Sequence, residues 1–458
     1  MEDMKNGKRS SFSGKLGYVL AAAGASVGLG NIWRFPYLAA KYGGGIFLII
    51  YIVLALTFGY TMIVAETAIG RMTRKSPVGA FKSFGKKKWL SFGGWINAVI
   101  PVLIVPYYSV IGGWVIKYLV EYFRGNAKLL AEDGYFTDFI SNGVSTELCF
   151  VAFCAFTLII IFAGVQNGIE RVSKIMMPIL IVLSVIIAVY SVTRPGALAG
   201  VKYFLVPNVK NFSWMTVVAA MGQMFYSLSI AMGILITFGS YMKKDTAIED
   251  STRNVEIFDT GIAIMAGLMI IPAVFAFSGG DPNTLQAGPS LMFITIPKVF
   301  QNMGFGTVIG IVFFLLVLFA AVTSSIALTE SAVSTFEDEL GWGRKKATVL
   351  VGVIMLALGS LSSLGYGPLA GIKIIGMQFL DLFDFLTNSV MMPIAALLTS
   401  LFVSRVVGID KIEEEIIHGE SAFRRKKVFV VMIKYLCPVF AIIILLSSVA
   451  NALGWIKM

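Results

Sequence analysis

The stretch Gly24–Pro36 reads GASVGLGNIWRFP and lies inside the first long apolar run of the chain. Glycine and proline weaken or stop helices, and asparagine and arginine are costly in hydrocarbon. A segment that merely crossed a bilayer would avoid this string. That the chain does meet a bilayer follows from its composition: 458 residues, 57% hydrophobic, 14% charged, with a mean hydropathy of +0.82, too apolar for a water-soluble domain. Since a span needs about 20 apolar residues, runs bounded by charge, Gly and Pro predict an all-α polytopic membrane protein. Eleven spans are expected, over residues 17–39, 45–70, 90–122, 146–164, 170–193, 214–241, 255–279, 306–336, 346–365, 372–404 and 428–453.

Short cytoplasmic loops carry the excess of Lys and Arg. The dense run from Arg71 to Lys88 and the cluster Arg424 to Lys427 fall on the same side as the N-terminus. The N-terminus is therefore expected in the cytoplasm and, after eleven spans, the C-terminus outside the cell membrane. This bias accounts for the net charge of +11 without a nucleic-acid partner. The polar N-terminal segment (1–16) precedes an apolar run too long for a signal-peptide core, so no cleavage is expected. Cys149, Cys154 and Cys437 lie in apolar spans and read as packing residues, and His418, the one histidine, sits in a charged loop. No nucleophile or metal set stands out, so an enzyme is not expected.

Broken backbone is tolerated at membrane depth only where protein or a water-filled cavity satisfies the freed polar groups. The break at Ser26–Gly30 falls near mid-span. Carbonyls ending the first half-helix can hold a cation, and amides opening the second favour an anion such as a carboxylate. A second interruption comes five spans later, where Ser227, Ser229, Ala231 and Gly233 punctuate GQMFYSLSIAMGILITFGSY (Gly222–Tyr241). Small residues also serve close helix packing. Two interrupted spans at matching positions of two five-span halves, 17–193 and 214–404, point instead to an inverted-repeat transporter with its site between the halves; residues 428–453 form the eleventh span.

The strings GASVGLGNIWRFPYLAAKYGGGIF and AETAIGR resemble the first two spans of the neurotransmitter:sodium symporters, and the likeness runs from about Arg9 to Asp384 and on through the last span. The resemblance implies a LeuT-type fold, a 5+5 inverted repeat with helices 1 and 6 broken. It implies sodium-coupled import of an amino acid by alternating access, with a non-transporting amino-acid-sensing receptor on the same fold as the alternative. Two Na⁺ sites are implied. The first takes Ser26, Asn31 and Ser227, completed by the substrate carboxylate; the second takes carbonyls of Gly24, Val27 and Ala320 with the hydroxyls of Thr323 and Ser324. Oxygen ligands suit a hard cation, although Ser and Thr in membrane helices often bond their own backbone.

By the same resemblance Tyr108 binds the substrate carboxylate, with Leu29 and Gly30 beside it. The amino group meets Ser26, Tyr226, Ser227 and Ser229, and Ala25, Ile104, Tyr226, Met232, Ser324 and Leu328 surround the side chain. Monoamine-transporting relatives carry an Asp where this chain has Gly28, so an α-amino acid is expected; with no fixed charge around its side chain, it should be apolar or aromatic. Tyr226 departs from the usual Phe lid. Arg34 with Asp384 outside, Asp381 being the rival partner, and Arg9 with Asp338 inside are the implied gates. Gly168 and Pro178 resemble a motif that lets span five unwind. Glu66 should brace the unwound part of span six, and Glu330 is expected in a wet inner vestibule. Asp259 stands where relatives have a neutral asparagine and animal transporters add chloride. A carboxylate there offsets one cation charge, so Asp259 is expected to complete the first sodium site and chloride to be unnecessary. Oligomeric state is not legible.

Overall fold

A computed structural model describes residues 9–278, 288–452 and 454–455. These residues are helical, with one isolated β-bridge pairing Ile374 with Met377. The helices that position the site are α1 (Lys15–Ser26), α2 (Gly30–Lys41), α3 (Gly45–Thr73), α4 (Lys88–Phe123), α5 (Gly143–Phe162), α6 (Val165–Val192), α7 (Trp214–Ser227), α8 (Ile234–Ser240), α9 (Ile248–Ser278), α10 (Leu291–Gln301), α11 (Gly306–Leu340), α12 (Arg344–Leu364), α13 (Phe379–Val407), α14 (Ile409–Ile417) and α15 (Lys426–Ala452). Polarity is turned inside out. Val144, Leu148, Ile159 and Leu446 are more than 60% exposed, whereas Glu66, Arg71, Asp259 and Glu330 are fully buried. Apolar side chains outward and ion-forming ones inward suit a bundle solvated by lipid.

Among the described residues nine helices are long and apolar enough to span a bilayer, and α1 with α2 forms one bent pair at 55°. The expected sixth span is two short helices, α7 and α8, either side of residues 228–233, each too short to cross alone. Span eight extends to Leu340 and span seven begins at Ile248, because the polar residues at these ends continue the helix beyond the apolar run.

The two breaks hold each other. α1 ends where Val27 turns to φ −74°, ψ 91°. Gly28 and Gly30 are needed at the break: a Cβ on Gly28 would lie 2.7 Å from Ser324 Oγ, and one on Gly30 would lie 2.3 Å from the Tyr226 ring. In the second break Ser229 (φ 52°), Ala231 (φ 57°) and Gly233 (φ 69°) are left-handed, a conformation that costs a non-glycine residue on the order of 1–3 kcal/mol. Two cross-links hold it: the Ala231 amide donates to Glu66 Oε1 at 2.7 Å, and Ser229 Oγ donates to the Ala25 carbonyl at 2.9 Å. The brace expected of Glu66 is present as geometry.

Glu330 corrects its expected setting. It is fully buried and accepts from Tyr241 OH (2.7 Å) and Arg344 (2.6 Å); a carboxylate between two donors needs no water. α6 is helical from Val165, with Gly168 in a π-helical first turn and Pro178 inside the helix, so the span is wound here. Glu66→Ala leaves the Ala231 amide unpaired, whereas Glu66→Gln keeps an acceptor. Thermal unfolding of the purified protein should show a loss of roughly 1–3 kcal/mol for Ala and a clearly smaller one for Gln.

Candidate functional site

Between the two breaks lies a cavity enclosing about 30 Å³, about one water's share of space. α1, the break and the start of α2 contribute Ala25, Ser26, Gly28, Leu29, Gly30 and Asn31. Tyr226, Ser229 and Met232 face them from the second break, Ile104 and Tyr108 come from α4, and Ser324 and Leu328 from α11. The expected substrate residues therefore meet in one place, except that Ser227 does not line the cavity. It points behind the wall to Asp259, because that carboxylate is the stronger acceptor. The lining has no charged side chain. Tyr108 OH accepts from the Leu29 amide at 3.2 Å, which fixes the phenol over the opening of α2. The Tyr226 ring lies against Gly30, with the Arg34 guanidinium 5.3 Å from its centroid.

Beside the cavity is a buried polar cluster. Asp259 accepts from Asn31 Nδ2 (2.8 Å) and Ser227 Oγ (2.9 Å), and Tyr51 OH, with one proton to give, lies within bonding distance of both Asp259 (3.1 Å) and Ser227 Oγ (2.9 Å). No basic side chain touches this carboxylate. Asn31 Oδ1 accepts from the Gly28 amide at 3.2 Å, so a cation at Asp259 would meet Asn31 oxygen only if the amide turned over. Ser26 Oγ bonds back to Ala22 O at 3.1 Å. Tyr51 was not anticipated; its only signal is a lone hydroxyl in the run GIFLIIYIVL. Gln223 was also missed, and its Nε2 donates to Gly30 O at 3.1 Å.

On the other side of the break, Ser324 Oγ stands 3.3, 3.2 and 3.4 Å from the carbonyl oxygens of Gly24, Ala25 and Val27. Ala25 O already takes Ser229 Oγ, and one hydroxyl proton cannot satisfy both Gly24 O and Val27 O, so their surplus negative potential suits a hard cation. Thr323 Oγ1 bonds back to Phe319 O (3.0 Å) and Ala320 O (3.2 Å), and its Cβ lies 3.1 Å from where a Gly24 Cβ would be. The five oxygens expected for a second sodium ion are thus neighbours.

The two ends differ. Arg9 meets Asp338 at 2.5 Å and Ser334 Oγ at 2.6 Å, and Phe12, fully buried, packs edge-on against Phe238 and Tyr241. At the far end the expected pair of Arg34 and Asp384 is not made. Asp384 takes Asn388 Nδ2 (2.6 Å) and Tyr107 OH (3.2 Å), while Arg34 lies over Tyr226. Asp381, the rival, is held by Tyr366 OH at 3.3 Å. In this state the bundle is clasped at the Arg9 end, and its arginine gate at the other end is parted.

A profile of the sodium:neurotransmitter symporter family matches residues 9–130 and 137–455. The chain belongs to this family. It is 34% identical, over 97% of its own length and 99% of the relative's, to an uncharacterized sodium-dependent transporter, YhdH, of Bacillus subtilis (strain 168). It is 26% identical to the sodium- and chloride-dependent GABA transporter 2 of Macaca fascicularis, over 89% of this chain and 74% of that one. The crystal structure of MhsT in complex with L-phenylalanine superposes with a TM-score of 0.86 at 35% identity, covering 96% of this chain and all of the other. The fold is thus LeuT-type, with its two broken helices, and the protein is a multi-pass sodium-dependent symporter. If Asp259 and its donors hold sodium, Tyr51→Phe removes one bond to a charged group, about 1.5–3 kcal/mol. Sodium affinity should fall roughly ten- to hundredfold, measured by Na⁺ titration of intrinsic fluorescence, with thermal stability in saturating Na⁺ lowered by a matching amount.

Proposed function

We propose that this symporter couples the uptake of an apolar or aromatic L-amino acid to two Na⁺ ions by alternating access, without chloride, from a cell membrane in which its N-terminus is cytoplasmic and its C-terminus outside. The observation that carries the substrate class is the lining between the breaks, which offers hydroxyls, amides and apolar walls but no charge. A zwitterion needs a partner for each of its charges. Tyr108 OH, already accepting from Leu29, donates to the carboxylate, and the amides opening α2 support it. Carbonyls at the end of α7 and the Ser229 hydroxyl accept from the ammonium group. A charged side chain would have no counter-ion and would lose several kcal/mol. An apolar one meets Ile104, Met232 and Leu328, with Met232 able to adapt its shape. Tyr226 must swing from Gly30 to admit it, because the cavity is far smaller than an amino acid. L-phenylalanine, the molecule in complex with MhsT, is of this class.

Chloride independence rests on Asp259. Two cations and a zwitterion bring two net positive charges into a low-dielectric site, and one buried carboxylate offsets one of them. The first sodium ion would take Asp259, Asn31, Ser227, the Ser26 carbonyl and the substrate carboxylate. The second would take carbonyls of Gly24, Val27 and Ala320 with Thr323 and Ser324. An amino-acid receptor on the same fold would bind without accumulating substrate. Reconstituted vesicles with an inward Na⁺ gradient separate these readings. The symporter concentrates labelled phenylalanine or leucine, equally in chloride and gluconate; Asp259→Asn loses most uptake in both, or regains it in chloride alone. Binding without accumulation would favour the receptor, and wild-type uptake that collapses in gluconate would overturn the role of Asp259.

A further inference from the structure

The N-terminal strap, residues 9–14, is fastened on two sides. Arg9 and Phe12 bind it to α8 and α11. Its other fastening is to the first turn of α6, through residues for which sequence comparison gives no role. Glu170 closes the π-helical turn Val165–Glu170 and is 2% exposed. Its Oε2 accepts the Ser13 backbone amide at 2.9 Å, and its Oε1 takes the Ser13 hydroxyl and Lys174 Nζ (2.6 Å). Gln166, in the same turn, donates to Ser11 O at 2.7 Å, and Lys174 also reaches Ser13 Oγ at 3.2 Å. Lys243, just beyond α8, donates to Ser13 O at 2.8 Å. The carboxylate lies across the start of α1 because Gly17 is there; a Cβ at that position would be 2.4 Å from Glu170 Cδ.

We propose that Glu170 is a positioning residue for the transport cycle: through Ser13 it ties the strap to the turn where α6 begins, so that the strap and α1 cannot lift without breaking that link. The inference rests on the alternating-access reading. With the strap seated, the buried carboxylate has three donors, two of them from Ser13. Lifting the strap removes both and leaves Lys174 alone, and a buried carboxylate stripped of donors is strongly disfavoured. Water from the open groove lined by Ser13, Gln166, Arg171 and Lys174 must replace them. That turn is built to loosen: Gly164 at φ 89° precedes it, and the amides of Gly168 and Ile169 share one acceptor, Gly164 O, at 3.1 Å each. Departure of the strap therefore costs Glu170 both of its Ser13 donors, and that cost keeps the strap seated.

Ser331, on α11 one turn from Ser334 and fully buried with its Oγ 3.3 Å from Thr237, reports on the strap. Ser331→Cys is introduced after Cys149, Cys154 and Cys437 have been replaced, and its reaction with a hydrophilic thiosulfonate is followed in nanodiscs. In this parent, Na⁺ should slow labelling relative to K⁺. Glu170→Ala in Na⁺ should label about tenfold faster or more, the scale of one charge-assisted hydrogen bond. Ser13→Pro, which removes the amide donor and the hydroxyl together, should do the same. The double variant should exceed neither single one, since both break the same link. Glu170→Gln, keeping one acceptor, should fall between. Labelling within twofold of the parent for Ser13→Pro and for folded Glu170→Ala, or additive effects, overturns the proposal. If Glu170→Ala does not fold, Ser13→Pro decides alone, because it leaves α6 intact. A parent whose labelling ignores Na⁺ overturns alternating access itself; a Na⁺-sensitive parent matched by its variants overturns only the role of Glu170.

Discussion

Three carbonyl oxygens, those of Gly24, Ala25 and Val27, stand around one hydroxyl, Ser324 Oγ. An intact helix would have used them in its own ladder. Freed inside a bundle that lies in lipid, each unsatisfied carbonyl is costly; Ser229 serves Ala25, and the single Ser324 proton cannot serve both of the others. The rest of the architecture follows from keeping that break open. Gly28 and Gly30 give it room. Ser229 ties the second break to it through Ala25, and Glu66 holds Ala231 in the left-handed conformation that makes the second break possible. A mobile cation is the natural partner for the surplus oxygens, and this is the physical sense in which the family's dependence on sodium is written into the backbone.

The polar layer is compact. Asp259 with Asn31, Ser227 and Tyr51 lies on one side of the cavity, and Ser324 with its carbonyls on the other; the wall between carries no charge. On the proposed reading, charge brought in by ions would be met by one carboxylate, and the substrate by amides, carbonyls and hydroxyls. The ends hold opposite conditions. Arg9, Phe12 and Ser13 are locked to α8, α11 and α6, whereas Arg34 and Asp384 have other partners. Asp384 keeps two donors when Arg34 is away, so parting the far pair leaves no bare charge. At the Arg9 end Glu170 has no such substitutes, and release there must admit water.

Much of this is legible in the chain because the breaks are spelled with residues that helices in lipid avoid. GLGNIWRFP and SLSIAMG announce themselves against apolar runs, and a carboxylate at Asp259 with no base in the membrane part of its own span demands a polar site. Tyr51 and Gln223 gave no comparable sign, since a tyrosine in an apolar run or a glutamine on a helix acquires meaning only from partners more than 170 residues away. The ion pair of Arg71 with Glu415 is of the same kind. Arg34 and Asp384 were read as partners because sequence carries no information about which gate is shut. Span six escapes a length test for the same reason it matters: its middle is not helix.

If the substrate carboxylate and the oxygens of the first break share sodium ions, amino acid and Na⁺ must strengthen each other's binding by one and the same factor. The direct measurement is a pair of titrations on purified protein: the affinity for L-phenylalanine or L-leucine across a Na⁺ series at constant ionic strength, and the affinity for Na⁺ with and without the saturating amino acid. The account predicts that binding vanishes when K⁺ or choline replaces Na⁺ and that the two enhancement factors agree. Amino-acid binding unchanged across the Na⁺ series would contradict it.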